Sequence, residues 1–159
     1  MRWVSPTPER TAEIAASLAL ALDPGRGAVL CLSGPLGAGK THFVKGLAEG
    51  LGLDPARVQS PTFVLAAEHV LPHGGRLVHV DCYRVADALE LENAGLLDWL
   101  GSDRVLAVEW SERVPEAWPA DHLAITLDRD GEAERVIEAR AGGPRAETWL
   151  AGWRDALGE

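Results

Sequence analysis

Gly34-Pro35-Leu36-Gly37-Ala38-Gly39-Lys40-Thr41 decides the fold of this chain, because it fits the phosphate-binding (Walker A) pattern G-x-x-x-x-G-K-[ST]. Each fixed position has a mechanical task. The glycines let the backbone curl until successive N–H groups point inward at a phosphate. Lys40 brings a positive charge to β- and γ-phosphates, and the Thr41 hydroxyl can ligate Mg²⁺. The helix that begins here adds its positive N-terminal end. The flanks agree. Residues 27–33 (GAVLCLS) read as a buried apolar strand running into the loop. Residues 42–51 read as a helix leaving it, with Phe43, Val44, Leu47, Ala48 and Leu51 on one face. The expected nucleotide-contact residues are Gly34, Leu36, Gly37, Ala38, Gly39, Lys40, Thr41 and His42.

The chain has 159 residues, which predicts one domain (1–159) with a core that needs no disulfide or metal staple. Its 24 acidic residues against 15 basic ones give a net charge of −9. Such a surface repels bare DNA or RNA. Any RNA role would need a local basic patch, or a partner that holds the RNA. Lysine is scarce: of Lys40 and Lys45, one fills the slot where an ammonium is wanted. Cys31 and Cys82 have neither a disulfide framework nor metal-ligand spacing, and read as buried, reduced thiols in a cytoplasmic protein. No apolar run approaches the length of a membrane span, and the N-terminus lacks a signal-peptide profile.

Thr7-Pro8-Glu9 is a helix start, with a hydroxyl cap, proline in the first position and an acid in the first turn. The helix is predicted to reach about Leu22, burying Ala15, Leu18, Ala19 and Leu22. Residues 62–67 read as a strand and 72–75 as a turn. Residues 77–81 and 104–109 read as apolar strands that each end in an acid. Residues 86–100 are helical in pattern, interrupted at Gly95. Residues 122–140 read as a hairpin around Asp130-Gly131, and 145–157 as a helix with Trp149, Leu150, Trp153 and Leu157 on one face. Strand–helix alternation followed by a hairpin predicts an α/β fold, a P-loop NTPase three-layer sandwich. Its sheet would be mainly parallel with an antiparallel edge hairpin.

Mg²⁺–ATP chemistry needs a carboxylate at the end of a hydrophobic strand beside the loop, where ligands of open α/β sheets bind. Asp81 and Glu109 qualify. Either could instead cap the next element or pair with an arginine, but two of them beside such a loop favour function for at least one. Periodicity does not separate the metal ligand from the acid that orients water. Ser60-Pro61-Thr62-Phe63 puts a hydroxyl where switch-type NTPases sense the γ-phosphate, against the blander reading of a proline-led strand start. Arg84 could offset phosphate charge or act as a finger in cis, against the commoner surface pair, and Trp110 could pack on the nucleotide or fill core, with core the favoured reading. The five histidines show no ligand spacing and read as structural or exposed. With no N-K-x-D stretch to read guanine, adenine is the default base.

Taken in order, G-x-L-G-A-G-K-T (34–41), S-P-T-F (60–63), H-x-D-x-Y-R (79–84), E-L-E-x-x-G (90–95) and V-E-W (108–110) resemble the TsaE family. That family is the bacterial ATPase subunit of tRNA threonylcarbamoyladenosine synthesis. The likeness covers roughly residues 7–140. Departures fall at Pro35, His42 and Cys82, where an acid, a second threonine and an aliphatic residue are usual. The resemblance implies that Lys40 holds phosphates, that Thr41 and Glu109 ligate Mg²⁺, and that Asp81 is essential for hydrolysis. It makes Thr62 the switch residue and sets Thr11 and Arg135 near the base. It also implies an ATP hydrolase, weak alone, that works with TsaB-like and TsaD-like proteins. Hydrolysis would reset that complex rather than transfer the threonylcarbamoyl group, and tRNA would be met only through the partners. Two other classes fit the loop: a small-molecule kinase, disfavoured by the lack of an arginine-rich lid, and a nucleotide-gated switch without turnover. The tryptophan-rich last helix is the least family-like part.

Overall fold

The computed structural model describes residues 1–159 and places seven strands in one sheet with helices on both faces. The strands are β1 (Arg2–Ser5), β2 (Ala28–Ser33), β3 (Ala66–Val70), β4 (Arg76–Asp81), β5 (Arg104–Glu109), β6 (Leu123–Asp130) and β7 (Glu134–Ala141). The helices are α1 (Pro8–Ala19), α2 (Lys40–Gly50), α3 (Ala88–Ala94), α4 (Leu96–Trp99) and α5 (Pro144–Ala156). Across the sheet the order is β1-β7-β6-β2-β5-β4-β3. Strands β6, β2, β5 and β4 are parallel neighbours, while β3 and β7 run against them. β1 pairs antiparallel with β7 and so shares the common direction. The sheet is mainly parallel with an antiparallel edge hairpin, as expected; that edge is the β3–β4 hairpin, while the β6–β7 hairpin lies one strand in because β1 covers it.

β2, β4 and β5 are buried on both faces and therefore read as near-continuous apolar runs, interrupted in β4 by His79. Alternate residues feed opposite layers. Leu30, Leu77, Val105 and Ala107 meet α1, α2 and α5, while Cys31, Val78, Leu106 and Val108 face α3 and α4. Both cysteines are free, and burial pushes each thiol up to about 12, so they stay protonated.

Thr7 caps α1 through its hydroxyl, which accepts the Arg10 N–H at 3.1 Å. The helix ends at Ala19 rather than Leu22. The N–H groups of Leu20, Ala21 and Leu22 turn to carbonyls three residues back, tightening the chain before Asp23-Pro24. α1 and α2 pack with their backbones almost touching. A Cβ at Gly46 would lie 2.5 Å from the Ala12 carbonyl oxygen, and one at Gly50 would lie 2.4 Å from that of Ala16. Gly46→Ala is therefore expected to cost ~1–3 kcal/mol by overpacking, read as a lower urea midpoint.

Two strand boundaries differ from expectation. β1 was not anticipated, and β3 starts at Ala66, four residues late. Residues 62–65 turn instead, with Leu65 at φ +68° and with Phe63 and Val64 facing solvent. The last helix packs as its apolar face predicts. The Trp153 indole donates to the Ile14 carbonyl at 2.8 Å, and its ring lies against Trp3 and Phe43. α5 thus clamps β1, α1 and α2 together.

Candidate functional site

Between β2 and α2 the chain makes the phosphate-type loop, with Gly34, Gly37 and Gly39 at φ +136°, +75° and +101°. Gly34 has a further constraint, since a Cβ there would meet the Leu127 carbonyl oxygen at 2.0 Å. Lys40 and Thr41 open α2. Lys40 is only 5% exposed, and its Nζ donates to the carbonyls of Gly34 at 2.5 Å and Pro35 at 2.9 Å. The ammonium also lies 3.9 Å from the centre of the Trp110 ring. Burial pushes its pKa below the ordinary lysine value, while the carboxylates of Glu109, Glu112 and Asp81 pull it back up.

The two strand-end acids come together. Asp81 and Glu109 are direct neighbours across the β4–β5 ladder, and each is 3% exposed. The Thr41 hydroxyl lies 2.8 and 3.0 Å from the two Glu109 carboxylate oxygens. The His79 Nε2 lies 2.5 Å from Glu109 Oε2. Asp81 Oδ2 accepts from the hydroxyls of Ser60 at 3.0 Å and Thr62 at 2.8 Å, and its Oδ1 accepts the Tyr83 N–H at 2.8 Å. Neither carboxylate has a lysine or arginine in ion-pair contact. Buried charges are normally paired or bound to metal. A hydroxyl and carboxylates, all hard oxygens, suit Mg²⁺. No cluster of three or more histidine, cysteine or acidic side chains is built to hold a metal alone.

Leu36, Gly37, Gly39, Lys40, Thr41, His42, Thr62, Asp81 and Glu109 all line one cleft of about 540 Å³. Gly34 and Ala38 do not line it; they shape the loop from beneath, with Ala38 buried in the core. Thr11 and Arg135 lie together in a smaller cleft of about 180 Å³ that shares Gly39 and His42 with the first. The Thr11 hydroxyl is bonded to Ser5 Oγ at 2.7 Å. Arg129 Nε, from β6, and an Arg135 guanidinium nitrogen, from β7, converge on the Gly37 carbonyl at 3.3 and 3.4 Å.

Three residues gain detail that their sequence reading left open. Trp110 serves both surfaces: half-buried, it packs against the core cluster on the α3–α4 side and also lines the cleft, at φ +58°, a backbone region that bulky residues rarely enter and that concentrates at functional sites. Arg84 stacks over the Phe63 ring at 4.5 Å, outside the cleft lining. His79, read as structural or exposed, is of the first kind, fully buried with its ring against Glu109. The signal available was a lone polar ring inside the aliphatic run Leu77-Val78-His79-Val80, two positions before an acid and hence on the same face.

Residues 5–137 match the family described as "Threonylcarbamoyl adenosine biosynthesis protein TsaE". The chain belongs to the TsaE family. The TsaE of Bacillus subtilis, a tRNA threonylcarbamoyladenosine biosynthesis protein, is 42% identical over 150 residues, 92% of this chain and 89% of that protein. The TsaE of Streptomyces coelicolor is 49% identical over 105 residues, 65% of this chain and 70% of its own. The crystal structure of B. subtilis YdiB superposes with a TM-score of 0.78 at 34% identity, covering 98% of this chain and 94% of that one. The TsaE match takes in Thr11, the glycine-rich loop, Thr62, both acids and Arg135, and stops before α5.

Proposed function

We propose that this chain is a Mg²⁺-dependent ATP hydrolase of tRNA threonylcarbamoyladenosine biosynthesis, acting in the cytoplasm with TsaB-like and TsaD-like proteins. The observation that carries the reading is the meeting of Lys40, Thr41, Thr62, Asp81 and Glu109 in one cleft at the carboxyl edge of the parallel strands. Lys40, the loop N–H groups and the α2 N-terminus would hold β- and γ-phosphates. Thr41 and Glu109 would hold Mg²⁺, which supplies charge neutralisation at the phosphates when bound. Asp81 would orient the attacking water. Its bonds to Ser60 and Thr62 tie residues 60–64 to the point where the γ-phosphate would lie, so bond cleavage would be felt at exposed Phe63 and Val64. The base would lie toward Thr11 and Arg135. The net charge of −9 fits a subunit that leaves tRNA to its partners. No helix is long and apolar enough to cross a membrane.

The deciding experiment is the steady-state ATPase rate of the chain alone and with an equimolar TsaB–TsaD pair. A slow rate that rises several-fold with the pair is expected. A rate indifferent to the pair would defeat the partner assignment. Phosphoryl transfer to a metabolite would make the chain a kinase, and binding without turnover would make it a switch.

A further inference from the structure

His79 stands fully buried in β4 with an alanine on each side, Ala67 across the ladder in β3 and Ala107 across the ladder in β5. Directly opposed residues share a sheet face, so these two small side chains leave room for an imidazole. Its one polar contact is to Glu109 Oε2 at 2.5 Å, and Nδ1 has no partner. A carboxylate only accepts, so the proton belongs on Nε2 and the bare nitrogen is Nδ1. A glutamate side chain turns about three bonds. The freely rotating Thr41 hydroxyl holds one edge of the carboxylate, and His79 holds one oxygen of it from within the sheet.

We propose that His79 is a positioning residue that presets the Glu109 carboxylate for a nucleotide-borne divalent cation. Groups hydrogen-bonded to a metal-ligating side chain typically govern about 10–100-fold in metal affinity. The inference deepens the Mg²⁺–nucleotide reading and rests on it.

The test uses the whole chain and a fluorescent ADP analogue, with affinity measured in Mg²⁺ and again in EDTA. The ratio of the two isolates the metal from general binding and needs no turnover. In His79→Gln the amide nitrogen can reach the place of Nε2. In His79→Asn it reaches only the place of Nδ1. Wild type should bind more tightly with Mg²⁺, His79→Gln should keep most of that gain, and His79→Asn should lose about tenfold of it with its EDTA affinity unchanged. A full Mg²⁺ gain in His79→Asn overturns the proposal, as does a His79→Gln loss equal to that of His79→Asn. If His79→Asn does not fold, His79→Ala, which removes the donor outright, is read in its place. A gain lost in His79→Ala and kept in His79→Gln supports the proposal, and a full gain in His79→Ala overturns it. A wild-type chain whose nucleotide binding ignores Mg²⁺ overturns the nucleotide reading and this one with it.

Discussion

Lys40→Ala is expected to lower partner-stimulated ATP turnover by about 10²–10³-fold, the usual cost of removing one preorganised donor from a site where negative charge develops. The ammonium is the one lysine in the cleft, and nothing else there carries a compact positive charge on the loop itself. Stability should change far less. The carbonyls of Gly34 and Pro35 lose their donor, but both bonds are only partly buried, so the cost should be about 1 kcal/mol. Lys40→Arg should fail nearly as badly. A planar guanidinium must fit where a point charge now sits between two carbonyls and the Trp110 ring. Single-turnover hydrolysis with the TsaB–TsaD pair, beside a thermal melt, checks both. Wild-type turnover in Lys40→Ala would remove the phosphate role.

Asp81→Asn is the second large effect, and it should divide activity from stability. Turnover should fall by about 10²-fold, because an amide cannot orient or accept a proton from water as a carboxylate does. In EDTA the folded chain should be at least as stable as wild type, by up to ~1 kcal/mol. The reason is geometric. Asp81 and Glu109 are buried neighbours, and neither has a lysine or arginine in ion-pair contact, so one charge fewer relieves repulsion. An asparagine can still accept the Tyr83 N–H, and its amide can donate to Ser60 or Thr62 once their hydroxyls rotate. Urea midpoints at equal ionic strength decide the matter. A loss above ~1 kcal/mol would mean that the carboxylate's three hydrogen bonds outweigh the repulsion.

Much of this was legible because the informative residues are local. The glycine-rich loop, its strand and its helix are contiguous, and strands buried on both faces announce themselves as aliphatic runs ending at Asp81 and Glu109. What was lost depends on partners distant in sequence. β1 is a four-residue strand whose pairing with β7 is made at least 130 residues away. The apolar run Phe63-Val64-Leu65 looks like a strand, but Asp81 draws the Ser60 and Thr62 hydroxyls inward and the chain must turn first. His79 acquires meaning only when β4 and β5 lie in register, which brings Glu109 to its ring. Trp110 reads as core because left-handed backbone at a tryptophan leaves no trace in composition.

The clamp made by Trp153 also sets an order of events during synthesis. The ribosome makes α1 early, and α5 only after every strand of the sheet. Until then the Ile14 carbonyl lacks its indole donor, and Trp3 and Phe43 lack the ring that lies against them. Until α5 emerges, the nascent chain therefore leaves the patch of Trp3, Ile14 and Phe43 uncovered, when binding by chaperones or association with other nascent chains is easiest.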